Sequence, residues 1–353
     1  MKRASAPAVA TMSRISHVIK NVYPGILTPT LLFYWILMTS SVNAQSTAGG
    51  APPIIWFHPV TDQVTPAGFL VDQDFMQLFT PNAPWQNALS RIHVFEIVRR
   101  YIMTQPDSNL QKIFTFLHDR HIELAIDCGM VPANGCGDGI EGMVNQPNAN
   151  LVMATRLKKL GADVKYIVMD EPLTFGHYSN KPNACHYPIP ELAVAVAGEI
   201  RKVRSVFPDA IVIEDEAHSG IGSPDELGQW LDALKAQLGD GAPQAIRFDV
   251  QWESPRKPWR QYTPPLVATV LRHGYRYGII FDGTPQDPTD EAWIHTAQEN
   301  IRNWEKTIRW HPDHVMIQSW HRHPQQLLPE TSPTTLPYLI NWYSANSDFA
   351  RGH

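Results

Sequence analysis

Cysteines, membrane-length apolar runs and dinucleotide-binding glycine motifs are scarce or missing in this chain of 353 residues. Three cysteines are too few for a disulfide-stabilised scaffold, and the sequence has no CxxC pair or Cys/His cluster typical of zinc sites. No GxGxxG motif follows the first apolar run, where a dinucleotide-binding fold would carry it. Basic residues are outnumbered, 29 Lys and Arg against 34 Asp and Glu, so nucleic acid is not an expected partner.

The first 44 residues have the pattern of a secretory signal peptide. They contain four basic residues and no acidic one, then the apolar run 31–38, then the small-residue cleavage site 42–44. The apolar run is shorter than the roughly 20 residues that cross a bilayer, which favours cleavage over an uncleaved membrane anchor. We therefore predict a secreted or periplasmic protein without a membrane span. Loss of the four basic residues changes its net charge from −5 to −9.

Eight short apolar runs follow a predicted linker at 45–53, which is rich in Ser, Gly, Ala and Pro. The runs recur about every 37 residues, a spacing that fits strand, loop, helix and loop. They cover residues 54–57, 92–98, 122–126, 164–169, 210–213, 246–250, 277–281 and 315–317.

Most intervals between these runs contain apolar residues at helical spacing. The pattern is clearest at 110–117, 192–203 and 227–238. Pro190 and Pro224 supply helix-start signals for the second and third of these segments. The chain therefore alternates strands and helices.

Eight such units predict an α/β fold, a single-domain (β/α)8 TIM barrel over residues 54–345 with a carboxyl-terminal tail at 346–353. The main competitor is an open doubly wound sheet, because strand-helix alternation alone does not distinguish a closed sheet from an open one. The missing glycine motif favours the barrel. No single hydrophobic stripe marks the helices, so the sequence selects no oligomeric state.

In a (β/α)8 barrel the active site lies at the carboxyl ends of the strands, so the first polar residues after each run are candidate site residues. This rule gives an acidic rim with several aromatic side chains. Almost no basic residue lies on it, which argues against an anionic sugar as substrate. The rim comprises His58, Glu96, Asp127, Asp170, Glu171, Glu214, Asp215, Glu216, Asp249, Gln251, Trp252, Asp282, Gln318, Trp320 and His321.

Two strand ends supply the carboxyl pair that cleavage of a glycosidic bond requires. The sequence MDEP at 169–172 ends the fourth run, and IFDG at 280–283 ends the seventh, on the opposite side of the barrel mouth. With these motifs the chain resembles the clan of (β/α)8 glycoside hydrolases whose acid/base ends strand 4 and whose nucleophile ends strand 7. The resemblance implies Glu171 as acid/base, Asp282 as nucleophile or base, and Trp320 as a wall for the sugar.

The chain departs from the pattern of this clan at two positions. Asp170 stands where the clan commonly has Asn, which should raise the pKa of Glu171 by like charge but removes an amide that holds the sugar 2-hydroxyl. Asp282 is one methylene shorter than Glu, so the carboxyl separation could open from the retaining value of roughly 5 Å toward the inverting range of roughly 6.5 to 9.5 Å. Glu216 is the reserve candidate for the second carboxylate.

Each motif also has a purely structural interpretation. Residues 169–172 could be a solvated strand exit with a turn proline, and 282–285 is a good turn sequence. Two of the three acidic residues at 214–216 could simply be solvated or paired. The His pair at 320–323 lacks further ligands at metal-binding spacing, so we predict neither a metal nor an organic cofactor.

The long segment after Glu171 suits a flap over the substrate, although an ordinary surface loop is an equal alternative. His177 and Tyr178 lie on it. The predicted substrate-binding residues are Glu96, Asp127, Asp170, His177, Tyr178, Glu216, Asp249, Gln251, Trp252, Trp320 and His321.

Export would allow the cysteines to pair. Cys128 and Cys136 flank a Gly-rich loop, so a bridge between them is the favoured prediction. Three unpaired thiols and a Cys128–Cys185 bridge are the alternatives.

The sequence thus predicts an exported glycoside hydrolase that cleaves a polysaccharide or oligosaccharide by a two-carboxylate mechanism. The alternative is a non-catalytic carbohydrate-binding barrel that serves polysaccharide assembly or uptake. A barrel lyase or isomerase is a third hypothesis, which the shortage of basic residues on the rim disfavours.

Overall fold

Eight parallel strands close into a barrel in the computed structural model, which describes residues 51–59 and 74–352. The closed sheet confirms the predicted (β/α)8 fold over the open one. The predicted signal peptide at 1–44 and most of the predicted linker at 45–53 lie outside the described residues. Within the described ranges, no helix is long and apolar enough to cross a membrane.

Each barrel strand pairs with its neighbours in chain order, and the first closes against the last. At the closure Ile54 pairs with His314, and His58 pairs with Gln318. Short runs rich in Ile, Val and Phe suit this arrangement because parallel strands bury both faces. The strands are β1 Ile54–His58, β2 Val94–Val98, β3 Glu123–Cys128, β4 Val164–Asp170, β5 Ile211–Ala217, β6 Ala245–Asp249, β7 Arg276–Phe281 and β8 His314–Gln318.

Helices cover the outside of the barrel, and the predicted start signals lie where two of these helices begin. Pro190 and Pro224 lie in the first turns of their helices, and the Ser223 side chain accepts a hydrogen bond from the Glu226 N–H. The helices are α1 Gln86–Leu89, α2 Arg99–Thr104, α3 Asp107–His118, α4 Ala149–Lys159, α5 Ile189–Arg204, α6 Pro224–Leu238, α7 Trp259–Arg272, α8 Asp290–Thr307 and α9 Leu336–Asn346.

Strand side chains alternate between the barrel interior and the layer beneath the helices. Residues such as Phe57, Ile167 and Phe248 face outward and join the large apolar core between strands and helices. The apolar cluster inside the barrel is small. It consists of Trp56, Val94, Ala125, Tyr166, Val168, Ile213, Ala245, Ile280 and Met316.

The residues after α9 pack against the barrel helices. Phe349 is buried, and its carbonyl oxygen hydrogen-bonds to the His311 ring at 3.0 Å. The Ser347 hydroxyl donates to Glu305 at 2.5 Å. The segment predicted as a tail at 346–353 therefore contributes to the outer core.

The disulfide prediction needs correction. The bridge joins Cys136 to Cys185, with Cα atoms 5.1 Å apart, and Cys128 is a buried free thiol. Cys128 faces the outer core at the end of β3, whereas Cys136 lies further along in the β3–α4 loop. The predicted Cys128–Cys136 bridge is therefore wrong, and the observed bridge ties the β3–α4 loop to the β4–α5 loop.

Candidate active site

A polar residue from every strand faces inward near the carboxyl end of the barrel. Each lies two or four positions beyond an apolar interior residue, on the same face of its strand. Six of the eight are carboxylic acids, so the layer above the apolar interior is strongly acidic. The eight residues are His58, Glu96, Asp127, Asp170, Asp215, Asp249, Asp282 and Gln318.

Arg247 of β6 is a fully buried cation inside the barrel, and the sequence rule missed it. Its Nε and Nη2 donate to the two Asp215 carboxylate oxygens at 2.5 and 2.6 Å, and Nη2 also donates to Glu96 at 3.0 Å. Its guanidinium carbon lies 4.4 Å from the centre of the Trp56 ring. Burial would raise the pKa of Glu96, but Arg247 and His58 together lower it.

Glu171 directly follows β4 and has a left-handed backbone conformation with φ of 45°. Its N–H donates to the Asp215 carbonyl at 3.1 Å, and its own carbonyl accepts from the Phe175 N–H at 2.9 Å. Burial raises the pKa of the half-buried Glu171 carboxyl well above its usual value, and the negative charges of Asp249 and Asp170 raise it further. A carboxyl group with a raised pKa suits a general acid.

Asp249, at the end of β6, lies among the other carboxylates of the site. Burial raises its pKa to about 7, with further contributions from Asp215 and Glu141. Among the neighbouring charges, Asp249 has the largest effect on the pKa of both Glu171 and Asp282. The structure therefore brings Asp249 into the same acidic group as the two predicted catalytic residues.

Asp282 is held by several contacts and is only 2% exposed. Its Oδ1 accepts from the Trp252 indole N–H at 2.7 Å, and its backbone carbonyl accepts from Asn300 at 3.0 Å. Its Oδ2 lies 3.9 Å from His321 Nε2. Burial raises the pKa of Asp282 well above its usual value, and Asp249 adds to the shift.

His321 is buried behind Asp282 rather than open to the surface. Its Nδ1 accepts a hydrogen bond from the Trp293 indole N–H at 3.0 Å, so this nitrogen carries no proton. The ring hydrogen therefore sits on Nε2, the atom nearest Asp282. Burial lowers the pKa of His321 to about 4, which keeps the ring neutral. His321 is therefore placed to contact Asp282 rather than to make the direct sugar contact that the sequence predicted.

Glu216 does not face the cleft, contrary to its predicted role as a substrate contact or second carboxylate. It is fully buried on the outer side of β5. One of its oxygens accepts from the Leu173 N–H at 2.6 Å, and the other accepts from the Thr174 N–H and hydroxyl at 3.1 and 2.7 Å. Burial raises its pKa to about 7. Glu216 therefore anchors the loop after Glu171.

Glu141 in the β3–α4 loop is a further acidic residue that the strand-end rule missed. After burial, its charge is the largest cause of the raised pKa of Asp170. The adjacent Gly142 N–H donates to Asp170 Oδ2 at 3.2 Å. The loop that carries Glu141 thus contacts the end of β4.

The two predicted sugar-stacking tryptophans differ in exposure. Trp320 is 51% exposed and could stack on a pyranose ring. Trp252 is partly buried, with its ring stacked against Phe281 at 6.1 Å between centroids. Gln251 beside it is exposed and accepts from the Ser219 hydroxyl at 2.5 Å. Of the two tryptophans, Trp320 therefore offers the more accessible surface.

The segment after Glu171 forms a π-helical turn at Thr174–Tyr178. His177 Nδ1 hydrogen-bonds to the Tyr187 carbonyl at 2.6 Å. The Tyr178 ring packs so closely on Gly222 that a Cβ there would lie 2.7 Å from it. Both predicted substrate contacts on this segment are thus half-buried and held by protein contacts.

A cleft of about 790 Å³ opens at the other end of the barrel. It is lined by residues at the amino ends of strands, including Glu123 and Lys165. None of the eight inward polar residues lines it. The carboxyl end of the barrel is therefore the better candidate for the active site.

Three inward polar residues could hold a metal ion. His58, Glu96 and Asp127 lie on the consecutive strands β1, β2 and β3, and their ligand atoms lie within 4.8 Å of one another. Imidazole and carboxylate are common ligands of divalent transition metals.

No family model matches the chain, and no curated protein matches it. Solved structures match its fold. One is a fungal β-1,4-galactanase, with a TM-score of 0.51 and 10% identity over 81% of this chain and 99% of that one. An intracellular xylanase from Thermoanaerobacterium saccharolyticum has a TM-score of 0.46 and 10% identity over 81% and 94% of the two chains.

A D-psicose 3-epimerase is a further match, with a TM-score of 0.43 and 9% identity over 82% of this chain and 98% of that one. The solved structures that match therefore include both glycoside hydrolases and a sugar epimerase. At such low identity the galactanase match shows the fold alone. This chain is thus a single-domain (β/α)8 barrel that shares its architecture with a fungal galactanase.

Proposed function

We propose that this protein is an exported glycoside hydrolase that cleaves a polysaccharide or oligosaccharide with Glu171 as general acid. The observation that carries the proposal is the position of Glu171 at the end of β4, with a pKa raised by burial and by neighbouring carboxylates. A protonated carboxyl at the barrel mouth can give its proton to a leaving glycosidic oxygen. The fold shared with a galactanase is consistent with this chemistry.

The second carboxylate must be ionised while Glu171 is protonated. Of the two candidates Asp249 is the more accessible, because it is half-buried whereas Asp282 is only 2% exposed. Its negative charge also helps to keep the proton on Glu171. We therefore assign Asp249 as the base or nucleophile.

Asp282, the partner predicted from the sequence, is the second candidate. The indole N–H of Trp252 orients its carboxylate, as a catalytic group would need. Its nearly complete burial favours Asp249 instead. Exposed Trp320 supplies a platform for a sugar ring.

The first test is the replacement Glu171→Gln in the chain without residues 1–44. Release of reducing ends from β-1,4-galactan, xylan and other neutral polysaccharides should fall by a factor of about 10² or more, because the general acid is lost. Binding and thermal stability should change little. Glu299→Gln on the exposed face of α8 is the matched control and should keep full activity.

Retention of more than about a tenth of the wild-type rate in the Glu171→Gln variant would exclude Glu171 as the general acid. A wild-type chain that binds polysaccharides but hydrolyses none of them would support the carbohydrate-binding alternative.

The second carboxylate is tested by comparing Asp249→Asn with Asp282→Asn. We expect Asp249→Asn to lower kcat by about 10² or more, because the base or nucleophile is lost. Asp282→Asn should have the smaller effect, because an amide oxygen can still accept from Trp252. If Asp282→Asn lowers kcat more than Asp249→Asn does, Asp282 is the base or nucleophile.

A further inference from the structure

We propose that His58, Glu96 and Asp127 form a binding site for a divalent transition-metal ion. The three residues lie on β1, β2 and β3, and one ligand atom from each lies within 4.8 Å of the others. Ligand atoms bound to a tetrahedral ion at about 2.1 Å lie about 3.4 Å apart. Side-chain movements of about an ångström would therefore bring all three into coordination distance.

Two carboxylate oxygens at this site accept no hydrogen bond in the described part of the chain. Glu96 is 1% exposed, and its Oε1 finds no hydrogen-bond partner among the described residues. The same is true of Asp127 Oδ1. Oε1 lies 3.2 Å from His58 Nδ1, so the two atoms already approach each other. A buried carboxylate oxygen without a partner is costly, and a cation would remove that cost.

The groups around the site carry more negative than positive charge, which favours binding of a cation. Four inward carboxyl groups, from Glu96, Asp127, Asp170 and Asp215, surround one guanidinium group, that of Arg247. A bound metal ion would offset this surplus of negative charge.

Arg247 orients Glu96 for this role. The guanidinium donates to Oε2 at 3.0 Å, which leaves Oε1 for the metal. Such hydrogen bonds to the second oxygen of a ligand are common around metal sites. Gln318 Oε1 lies 3.1 Å from His58 Nδ1 and provides a nearby fourth ligand atom.

The mixture of one imidazole and two carboxylates identifies the class of ion. It suits Mn²⁺ or Zn²⁺ better than Ca²⁺, which takes six to eight oxygen ligands. The site also lies on β1 to β3, whereas the proposed acid and base follow β4 and β6. The ion would therefore bind beside the two-carboxylate pair and could take a substrate hydroxyl at an open coordination position.

The test is a metal titration of the chain without residues 1–44, stripped with EDTA and measured without any sugar. Calorimetry and Mn²⁺ electron paramagnetic resonance should find one Mn²⁺ or Zn²⁺ bound per chain, with weaker binding of Ca²⁺. Asp127→Asn should weaken binding by at least about 100-fold, because it removes a direct ligand. Asp232→Asn, on the exposed face of α6, should bind the metal as the wild type does.

Absence of binding by folded wild-type protein at millimolar Mn²⁺ and Zn²⁺ would overturn the proposal. So would equal affinity of the Asp127→Asn variant and the wild type. If Asp127→Asn fails to fold, His58→Gln replaces it, with the same expected loss. Since no turnover is measured, the result is independent of the hydrolase proposal.

Discussion

At the scale of single residues, the candidate site is governed by the crowding of like charges. Glu171 combines burial with two neighbouring carboxylates, Asp249 and Asp170, and each of these influences raises its pKa. Asp170 stands where the glycoside hydrolases that the chain resembles commonly carry an uncharged amide. In the proposed mechanism this change removes one substrate contact and strengthens the hold of Glu171 on its proton.

The replacement Asp170→Asn tests whether the charge of Asp170 raises the pKa of Glu171. Glu171 must be protonated to act, so activity falls as the pH rises through its pKa. Removing the negative charge of Asp170 lowers that pKa, and the fall in kcat should occur at lower pH than in the wild type. The measurement is kcat against pH, with Asp232→Asn as control. An unchanged alkaline limb would show that Asp170 does not influence the acid.

Strand alternation would have found Arg247 in the sequence, whereas the strand-end rule could not. Arg247 lies within an apolar run, between the inward positions of Ala245 and Asp249. A charged residue at such a position must face the barrel interior and find carboxylate partners there. Glu141 is different, because only the folded path of its loop brings it near Asp170.

At the scale of elements, the β4–α5 loop is fixed at two points. Its beginning is bound by Glu216 of β5, and its end is linked through Cys185 to the β3–α4 loop. The sequence predicted a long segment over the site but not these attachments. Both depend on side chains that meet across different elements, which no local pattern reveals.

Glu216→Gln should loosen this loop. A neutral amide has one oxygen acceptor in place of two, so at least one of the bonds to Leu173 and Thr174 is lost, at a cost of about 1–3 kcal/mol. Amide hydrogen exchange of residues 173–178 should accelerate, while that of the barrel strands stays the same. Glu191→Gln, on the exposed side of α5, is the control. Unchanged exchange in the loop would contradict the anchoring role.

At the scale of the whole molecule, the apolar residues that stabilise the barrel are distinct from the polar residues of the candidate site. The large outer core packs helices on strands, and the small interior cluster fills the barrel beneath the polar layer. The eight apolar runs predicted this architecture because their spacing and composition depend on burial alone. The pairing of the cysteines could not be predicted in the same way, because both Cys136 and Cys185 lie in loops beyond strand ends.

The bridge predicts a definite thiol count and a stability effect. Denatured, unreduced protein should show one free thiol, and peptide mapping should assign it to Cys128. The double replacement of Cys136 and Cys185 by Ser should lower the free energy of unfolding by up to about 4 kcal/mol, as expected for a loop of 49 residues. Urea unfolding measures this loss, with Cys128→Ser as control. Three free thiols would contradict the bridge.

The Cys136–Cys185 bridge also closes a covalent ring that contains β4, α4 and Glu171. A protease that cuts the chain once inside this ring opens it without releasing a fragment. The nicked protein would keep both halves of its barrel joined and would migrate as two pieces only after reduction. If the protein is exported as we propose, the closed ring would hold the acidic site together after a first cut by an extracellular protease.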